Sequence, residues 1–192
     1  MISDHSKDKV VFGFWVYLMS DCVLFAGLFA TYAVLQGATF GAATLEELVS
    51  LPFVFVETLL LLTSSFTVGL ALLAAHHRKK IWTLVGLGVT LLLGLAFLAM
   101  EASEFMHLVA EGNGPNASAF LSAFFTLLGT HGVHVALGAL WMLILMAHVL
   151  LKGLTTGTVR KLVLLSLFWH FLDIIWIFIF TFVYLLGALA LV

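Results

Sequence analysis

The sequence SLFWHFLDIIWIFIFTFVYL, residues 166–185, is apolar enough to cross a bilayer, yet it contains a histidine and an aspartate. Successive side chains on an α-helix are about 100° apart, which sorts this stretch into two faces. The polar face carries Trp169, His170, Asp173, Trp176, Thr181 and Tyr184. The opposite face carries Phe171, Ile175, Phe178, Ile179 and Phe182. Because a lipid-facing aspartate is costly, we expect the polar face to lie against protein and the other against lipid or a neighbouring subunit.

The composition of the whole chain is that of an integral membrane protein. Of its 192 residues, 63% are hydrophobic and 9% are charged, and the mean hydropathy is +1.20. Soluble domains carry about 25% charged residues, so this chain cannot cover a water-exposed surface. Five apolar segments are each long enough to span a bilayer, at residues 11–35, 52–75, 81–104, 117–151 and 162–190. The sequence therefore predicts an all-α fold, a single domain over residues 1–192 built as a bundle of five transmembrane helices.

The basic residues determine the predicted orientation. All eight lie before the first helix, between the second and third, or between the fourth and fifth: Lys7, Lys9, Arg78, Lys79, Lys80, Lys152, Arg160 and Lys161. With five crossings, these three regions are on one side of the membrane. The positive-inside rule then predicts a cytoplasmic N-terminus and a periplasmic C-terminus. Clusters of two or three basic residues are typical of membrane topology signals and give no support to nucleic-acid binding.

Ionisable side chains within the predicted helices are the candidate functional residues, because such groups are costly in a membrane. They are Asp21, Glu57, Glu101, Glu104, His131, His134, His170 and Asp173. No Lys or Arg lies near them, so each carboxyl group must be protonated, hydrogen-bonded, or paired with a metal or with another subunit's cation. We expect an internal polar network in which Asp21 and the histidines of the fourth helix are the partners of the 166–185 polar face. Asp21 would either tie helices together as a protonated acid or exchange protons.

Two spacings could instead indicate metal ligands. His131-x-x-His134 puts two imidazoles on one helix, and Glu104-x-x-His107 has the spacing found in carboxylate di-metal sites. Those sites need the second spacing on two helices and a glutamate from each of two more, and this chain does not offer that set. The sequence therefore predicts no metal-binding, cofactor-binding or catalytic residue in this chain. A membrane di-metal enzyme stays open as an alternative, as does a proton-coupled transporter, although the paired interrupted helices of many transporters are missing.

Four stretches together resemble subunit III of the haem-copper terminal oxidases. They are FWVYLMSDCVLFAGLFATYAVL (14–35), MEASEFMHL (100–108), FLSAFFTLLGTHGVHVALGALWM (120–142) and LFWHFLDIIWIFIFTFVYL (167–185). Within that family, the phrases YLMSDC, LPFVFVET and SLFWHFLD are most similar to subunit III of the bacterial cytochrome bo-type ubiquinol oxidases. Subunit III of a cytochrome c oxidase, or a homologue associated with nitric oxide reductase, is the alternative within the family.

The resemblance implies an accessory subunit of a proton-pumping complex in the bacterial inner membrane. In that family the haems and the copper ion are held by subunit I, and subunit III binds neither. The implied substrate of the complex is ubiquinol, and the implied partners are subunits I, II and IV and membrane phospholipids. The implied role is to support assembly, lipid binding and sustained proton uptake. Many family members have a glutamate at the position of Asp21, which marks that acid for attention.

Overall fold

Five long helices dominate the chain. The computed structural model describes residues 2–38 and 50–189. In chain order its helices are α1 (Ile2–Leu35), α2 (Leu51–His76), α3 (Lys80–Ala110), α4 (Ala119–Lys152) and α5 (Thr156–Ile179), then a π-helical turn (Phe180–Leu185) and a short α6 (Leu186–Leu189). The described residues contain five helices that are long and apolar enough to cross a membrane, which confirms the predicted all-α transmembrane bundle.

Short polar signals fix the ends of α4 and α5. The Ser118 hydroxyl accepts a hydrogen bond from the backbone N–H of Leu121 at 3.1 Å, which caps the start of α4. The Thr155 hydroxyl accepts from the backbone N–H of Thr158 at 3.2 Å, which caps the start of α5. Between them Gly153, with a φ of 73°, ends α4 in a conformation that glycine adopts without strain.

Three helices extend further than the apolar segments indicated, and α1 begins at Ile2 rather than near residue 11. Helix α3 continues to Ala110 rather than ending near residue 104, and Gly112, with a φ of 85°, follows its end. Helix α5 begins at Thr156 rather than near residue 162. The residues added to α5 are mostly polar, so a hydropathy criterion excludes them, whereas those added to α3 are apolar apart from His107. The backbone hydrogen bonds of a helix continue until a breaker or cap intervenes.

The helices pack as a ring of four with a fifth helix outside it. Helix α2 packs against α3 and α5, while α4 packs against both α3 and α5, which closes the ring. Helix α1 lies outside and packs on α4 and α5. In the apolar windows of the spans, 61% of the residues are buried for α5 but only 22% for α1. Helix α5 is therefore the central element and α1 the peripheral one.

The central position of α5 changes the division of its surface. Phe178 and Phe182 are exposed, as expected for the apolar face, but Ile175 and Ile179 on the same predicted face are buried. His170, which we expected to face protein, is exposed. The prediction is wrong at these three positions because a two-sided division of the helix assumes one protein contact, whereas α5 has helices on several sides.

Two glycines let the ring close around a tryptophan of α5. The buried indole N–H of Trp169 donates to the hydroxyl of Ser64 on α2 at 3.0 Å. A Cβ added at Gly94 on α3 would lie 2.8 Å from the Trp169 ring, and one at Gly138 on α4 would lie 3.1 Å from it. Small residues at such contacts allow helices and large rings to approach closely in a membrane. The Trp169 indole therefore occupies the space where the other three ring helices meet α5.

Candidate functional site

The predicted polar residues form three groups rather than one network. Seven of the eight are buried or half-buried, and His170 is exposed, with its ring Nδ1 donating to the Ser166 carbonyl oxygen one turn earlier at 2.7 Å. The first group lies between α1 and α4. The second lies among α2, α3 and the π-helical turn, and the third follows the contact between α2 and α5. Each group has a different arrangement of donors, acceptors and charge.

Asp21 and His134 form the first group. His134 Nε2 lies 3.8 Å from Asp21 Oδ2, and the Phe25 ring packs on the imidazole with centroids 5.3 Å apart. His134 Nδ1 lies 2.7 Å from the Thr130 carbonyl oxygen, and because a carbonyl only accepts, Nδ1 carries a hydrogen. At 3.8 Å this separation is longer than a hydrogen bond, and Asp21 Oδ2 has no hydrogen-bond partner among the described residues, so the acid and the imidazole face each other without a direct hydrogen bond.

Three glutamates and a tyrosine form the second group, which we call the acidic cluster (Glu57, Glu101, Glu104 and Tyr184). Glu57 is 0% exposed, and neither of its carboxyl oxygens has a hydrogen-bond partner among the described residues. Glu101 and Glu104 are near enough to interact electrostatically with Glu57, and the Tyr184 side chain lies beside Glu104. The Glu101 carboxyl group presses on α4, since a Cβ at Gly132 would lie 2.6 Å from its Oε2. The three carboxyl groups therefore share one confined space.

The acidic cluster cannot be neutralised by the basic turn between α2 and α3. Lys80 and Glu101 lie towards opposite ends of α3, about 30 Å apart at 1.5 Å per residue. Isolated charge is costly in apolar surroundings, and adjacent carboxylates repel each other. Protons, or groups from outside this chain, must therefore balance the acidic cluster.

The third group joins α5 to α2. The indole N–H of Trp176 donates to the Thr58 hydroxyl at 3.1 Å. This bond lies about two turns further along α5 than the bond between Trp169 and Ser64. Asp173 lies between these two indoles in the sequence of α5 and is buried, with its Oδ1 unpartnered among the described residues. The polar face of α5 is therefore held chiefly by the hydroxyl groups of α2.

Of the two histidines of α4 that we expected beside α5, His131 contacts it, by ring stacking rather than by a hydrogen bond. His131 is fully buried and stacks on Trp176 with ring centroids 5.3 Å apart, and Phe97 meets it edge-on at 6.0 Å. Both ring nitrogens of His131 lack a hydrogen-bond partner among the residues that are described. Asp21, by contrast, lies beside His134 of α4.

The two spacings that could indicate metal ligands bring their side chains to different places. His131 faces Trp176, whereas His134 faces Asp21. The His107 side chain is 71% exposed and lies 3.4 Å from Glu111, away from the interior. Within the described part of the chain, no group of three or more His, Cys, Asp or Glu side chains is placed to hold a metal ion.

Tyr184 is the member of the acidic cluster that the sequence did not assign to it. Our helical division put Tyr184 on the polar face of α5, but nothing in the linear sequence showed that this face meets Glu104. The π-helical turn Phe180–Leu185 also departs from the 100° spacing on which that division rests. The available signal was depth in the membrane. Glu57 near the start of α2, Glu104 near the end of α3, and Tyr184 after α5 all lie towards the same end of the bundle.

Known proteins match this chain over nearly its whole length. The family model for cytochrome c oxidase subunit III matches residues 3–188. Subunit 3 of the cytochrome bo(3) ubiquinol oxidase of Pseudomonas aeruginosa is 58% identical, over 97% of this chain and 90% of that protein. Cytochrome c oxidase subunit 3 of Bacillus sp. strain PS3 is 47% identical (94% and 87% covered), and quinol oxidase subunit 3 of Bacillus subtilis is 45% identical (92% and 87% covered). The chain therefore belongs to the cytochrome c oxidase subunit III family of the haem-copper oxidases.

Proposed function

We propose that this chain is the accessory, non-catalytic subunit III of a proton-pumping haem-copper quinol oxidase. The observation that carries the proposal is 58% identity to a protein named as a ubiquinol oxidase subunit 3, over nearly all of both chains. The five spanning helices and the bacterial relatives make it a multi-pass protein of the bacterial inner membrane. Within the complex, subunit I would hold the haems and copper and reduce oxygen to water, with subunits II and IV and phospholipids as the other partners and ubiquinol as the substrate of the complex.

The proposed orientation has a cytoplasmic N-terminus and a periplasmic C-terminus. Arg78 donates to the Leu154 carbonyl oxygen, and Lys80 donates to the Leu150 carbonyl oxygen at 3.0 Å. These contacts support the expectation that the basic turn after α2 and the basic connection after α4 are at one end of the bundle. Basic residues concentrated at one end favour a cytoplasmic location for that end.

The proposed contribution of this chain's own residues is to hold protons inside the bundle. Asp21 and His134 place an acid and an imidazole, two groups that can each bind a proton, at the contact of α1 with α4. The acidic cluster holds further protons towards the other end of the bundle. Both groups consist of ionisable side chains inside the bundle, which supports a part in sustained proton uptake.

Replacing Asp21 with asparagine is expected to leave assembly intact and to shorten the working life of the complex. The amide fits the same space but cannot bind and release a proton, so proton supply fails gradually over repeated turnovers. The initial rate should fall by much less than the roughly hundredfold expected when a direct acid–base catalyst is removed. The measurement is oxygen consumption by the purified complex followed to inactivation, with the exposed Glu111→Gln as the matched control. Unchanged initial and inactivation rates in Asp21→Asn would refute this role.

The identity of the complex is tested by what purifies with the tagged full-length chain. We expect a haem-containing subunit and ubiquinol oxidation, without a cytochrome c-binding subunit that carries copper. Recovery of such a copper-bearing subunit would instead favour a cytochrome c oxidase, the second candidate, to which the relative from Bacillus sp. strain PS3 belongs by name. Stoichiometric iron or copper in the isolated chain would contradict the non-catalytic assignment altogether.

A further inference from the structure

A groove of about 450 Å³ runs between α2 and α3 at the basic end of the bundle. Its walls are apolar side chains from both helices, including Leu70, Leu73, Val85 and Val89. The two helices touch tightly within it, since a Cβ at Gly86 would lie 2.7 Å from the Cβ of Ala71. The groove is thus an apolar cleft on the outer surface of the bundle, with the close contact of α2 and α3 as its floor.

The length of this groove matches one leaflet of a bilayer. Its lining extends from Thr67 to His77 along α2 and the residue after it, and from Lys79 to Val89 along the residue before α3 and α3 itself. Each of these runs rises about 15 Å at 1.5 Å per residue, which is half of a roughly 30 Å hydrocarbon core. Trp82, which is mostly exposed, lines the end of the groove nearest the basic turn, where tryptophan is typical of the membrane–water interface.

The basic residues of the α2–α3 turn are used in two different ways. Arg78 and Lys80 are occupied by the end of α4 and by the connection that follows it, through the carbonyl contacts described above. Lys79 and His77 line the groove instead, and neither side chain has a hydrogen-bond or ion-pair partner among the described residues. One end of the apolar groove therefore offers an ammonium group and an imidazole to an outside ligand.

We propose that the α2–α3 groove binds one anionic phospholipid, with its phosphate on Lys79 and His77 and an acyl chain along the groove. An apolar groove one leaflet long, with an unpaired cation only at its polar end, complements such a lipid in both charge and length. A purely apolar protein helix would leave Lys79 without a partner. The assignment to the cytoplasmic leaflet rests on the orientation under the proposed function, whereas the binding site itself does not.

The test uses the tagged full-length chain, purified with whatever subunits accompany it, in nanodiscs of phosphatidylcholine. A trace of phosphatidylglycerol with a photoactivatable acyl chain is added, and adducts are mapped by peptide mass spectrometry. We expect adducts within residues 67–89, and far fewer with a phosphatidylcholine photoprobe. Because labelling is read on this chain and needs no turnover, its failure is separable from failure of the oxidase assignment.

Three variants separate charge from shape. Lys79→Gln should lower labelling by phosphatidylglycerol about fivefold, the value of one basic residue near an anionic lipid surface. Ala74→Phe should abolish labelling by filling the groove while keeping Lys79. Lys161→Gln, which removes an equal charge from α5 outside the groove, should leave labelling unchanged. Equal labelling by both lipid probes, no effect of Lys79→Gln, or no lipid adducts within residues 67–89 would each overturn the proposal.

Discussion

Replacing Trp176 with alanine is expected to cause the largest loss of stability of any single substitution considered for this chain. Trp176 is fully buried, meets Phe97 edge-on at 4.6 Å between ring centroids, and stacks on His131 at 5.3 Å. Its N–H also donates to Thr58. Alanine would remove these contacts from three helices at once and leave a cavity that the ring of helices cannot close, which costs about 3 to 5 kcal/mol.

The expected result is a thermal unfolding midpoint lower by roughly 10 °C, measured in detergent by loss of the helical circular dichroism signal. Trp176→Phe should lie between the wild type and alanine, because it keeps an aromatic contact but loses the N–H bond and part of the volume. Trp15→Ala is the matched control, since Trp15 is exposed on α1. A midpoint for Trp176→Ala equal to that of Trp15→Ala would show that this contact does not hold the bundle.

Gly94→Ala is expected to lower stability by about 1 to 3 kcal/mol, although alanine is the better helix former. Its Cβ would lie 2.8 Å from one carbon of the Trp169 ring and 2.9 Å from another. Trp169 cannot retreat freely, because its N–H is bound to Ser64 and Gly138 lies against the same ring. The strain must therefore be taken up by moving α3 away from α5.

Gly88→Ala on the same helix is the control with the opposite expectation. The nearest atom to its added Cβ would be the Met146 Cε at 3.9 Å, so the change should be neutral or stabilising by up to about 1 kcal/mol. Trp169→Phe removes the ring atoms that meet the new Cβ, so combining it with Gly94→Ala should recover stability. We expect a coupling of about 0.5 to 3 kcal/mol in the double-mutant cycle, measured by the same unfolding transitions. Strictly additive effects would rule out the steric explanation.

The architecture was predictable because length and hydropathy alone identify segments that can cross a bilayer. Five segments gave five helices. The extended start of α5 was not predictable from hydropathy, since those residues are mostly polar but still helical. The burial of each helix face was harder to predict. Periodicity shows which residues share one side of a helix, but not how many of its sides other helices cover. Ile179 is buried for that reason.

The candidate site was predictable as a set of residues but not as an arrangement. Asp21 and His134 both stood out as ionisable groups at mid-helix, yet their pairing depends on α1 packing against α4 across more than half of the sequence. Glu57 and Glu104 stood out in the same way, but Tyr184 joins them only because the ring of helices closes. Long-range packing of this kind leaves little trace in a single sequence, where only the depth of each residue can be inferred.

The peripheral position of α1 has a consequence for how the protein is made. Helix α1 emerges first from the ribosome, but its principal neighbour, α4, begins only at Ala119. At about 5 to 20 residues per second, the first helix waits on the order of ten seconds before that surface exists. During this time Asp21 has no His134 to pair with, which is costly in lipid. The insertion machinery or another subunit would therefore have to shelter this helix until synthesis of α4 is complete.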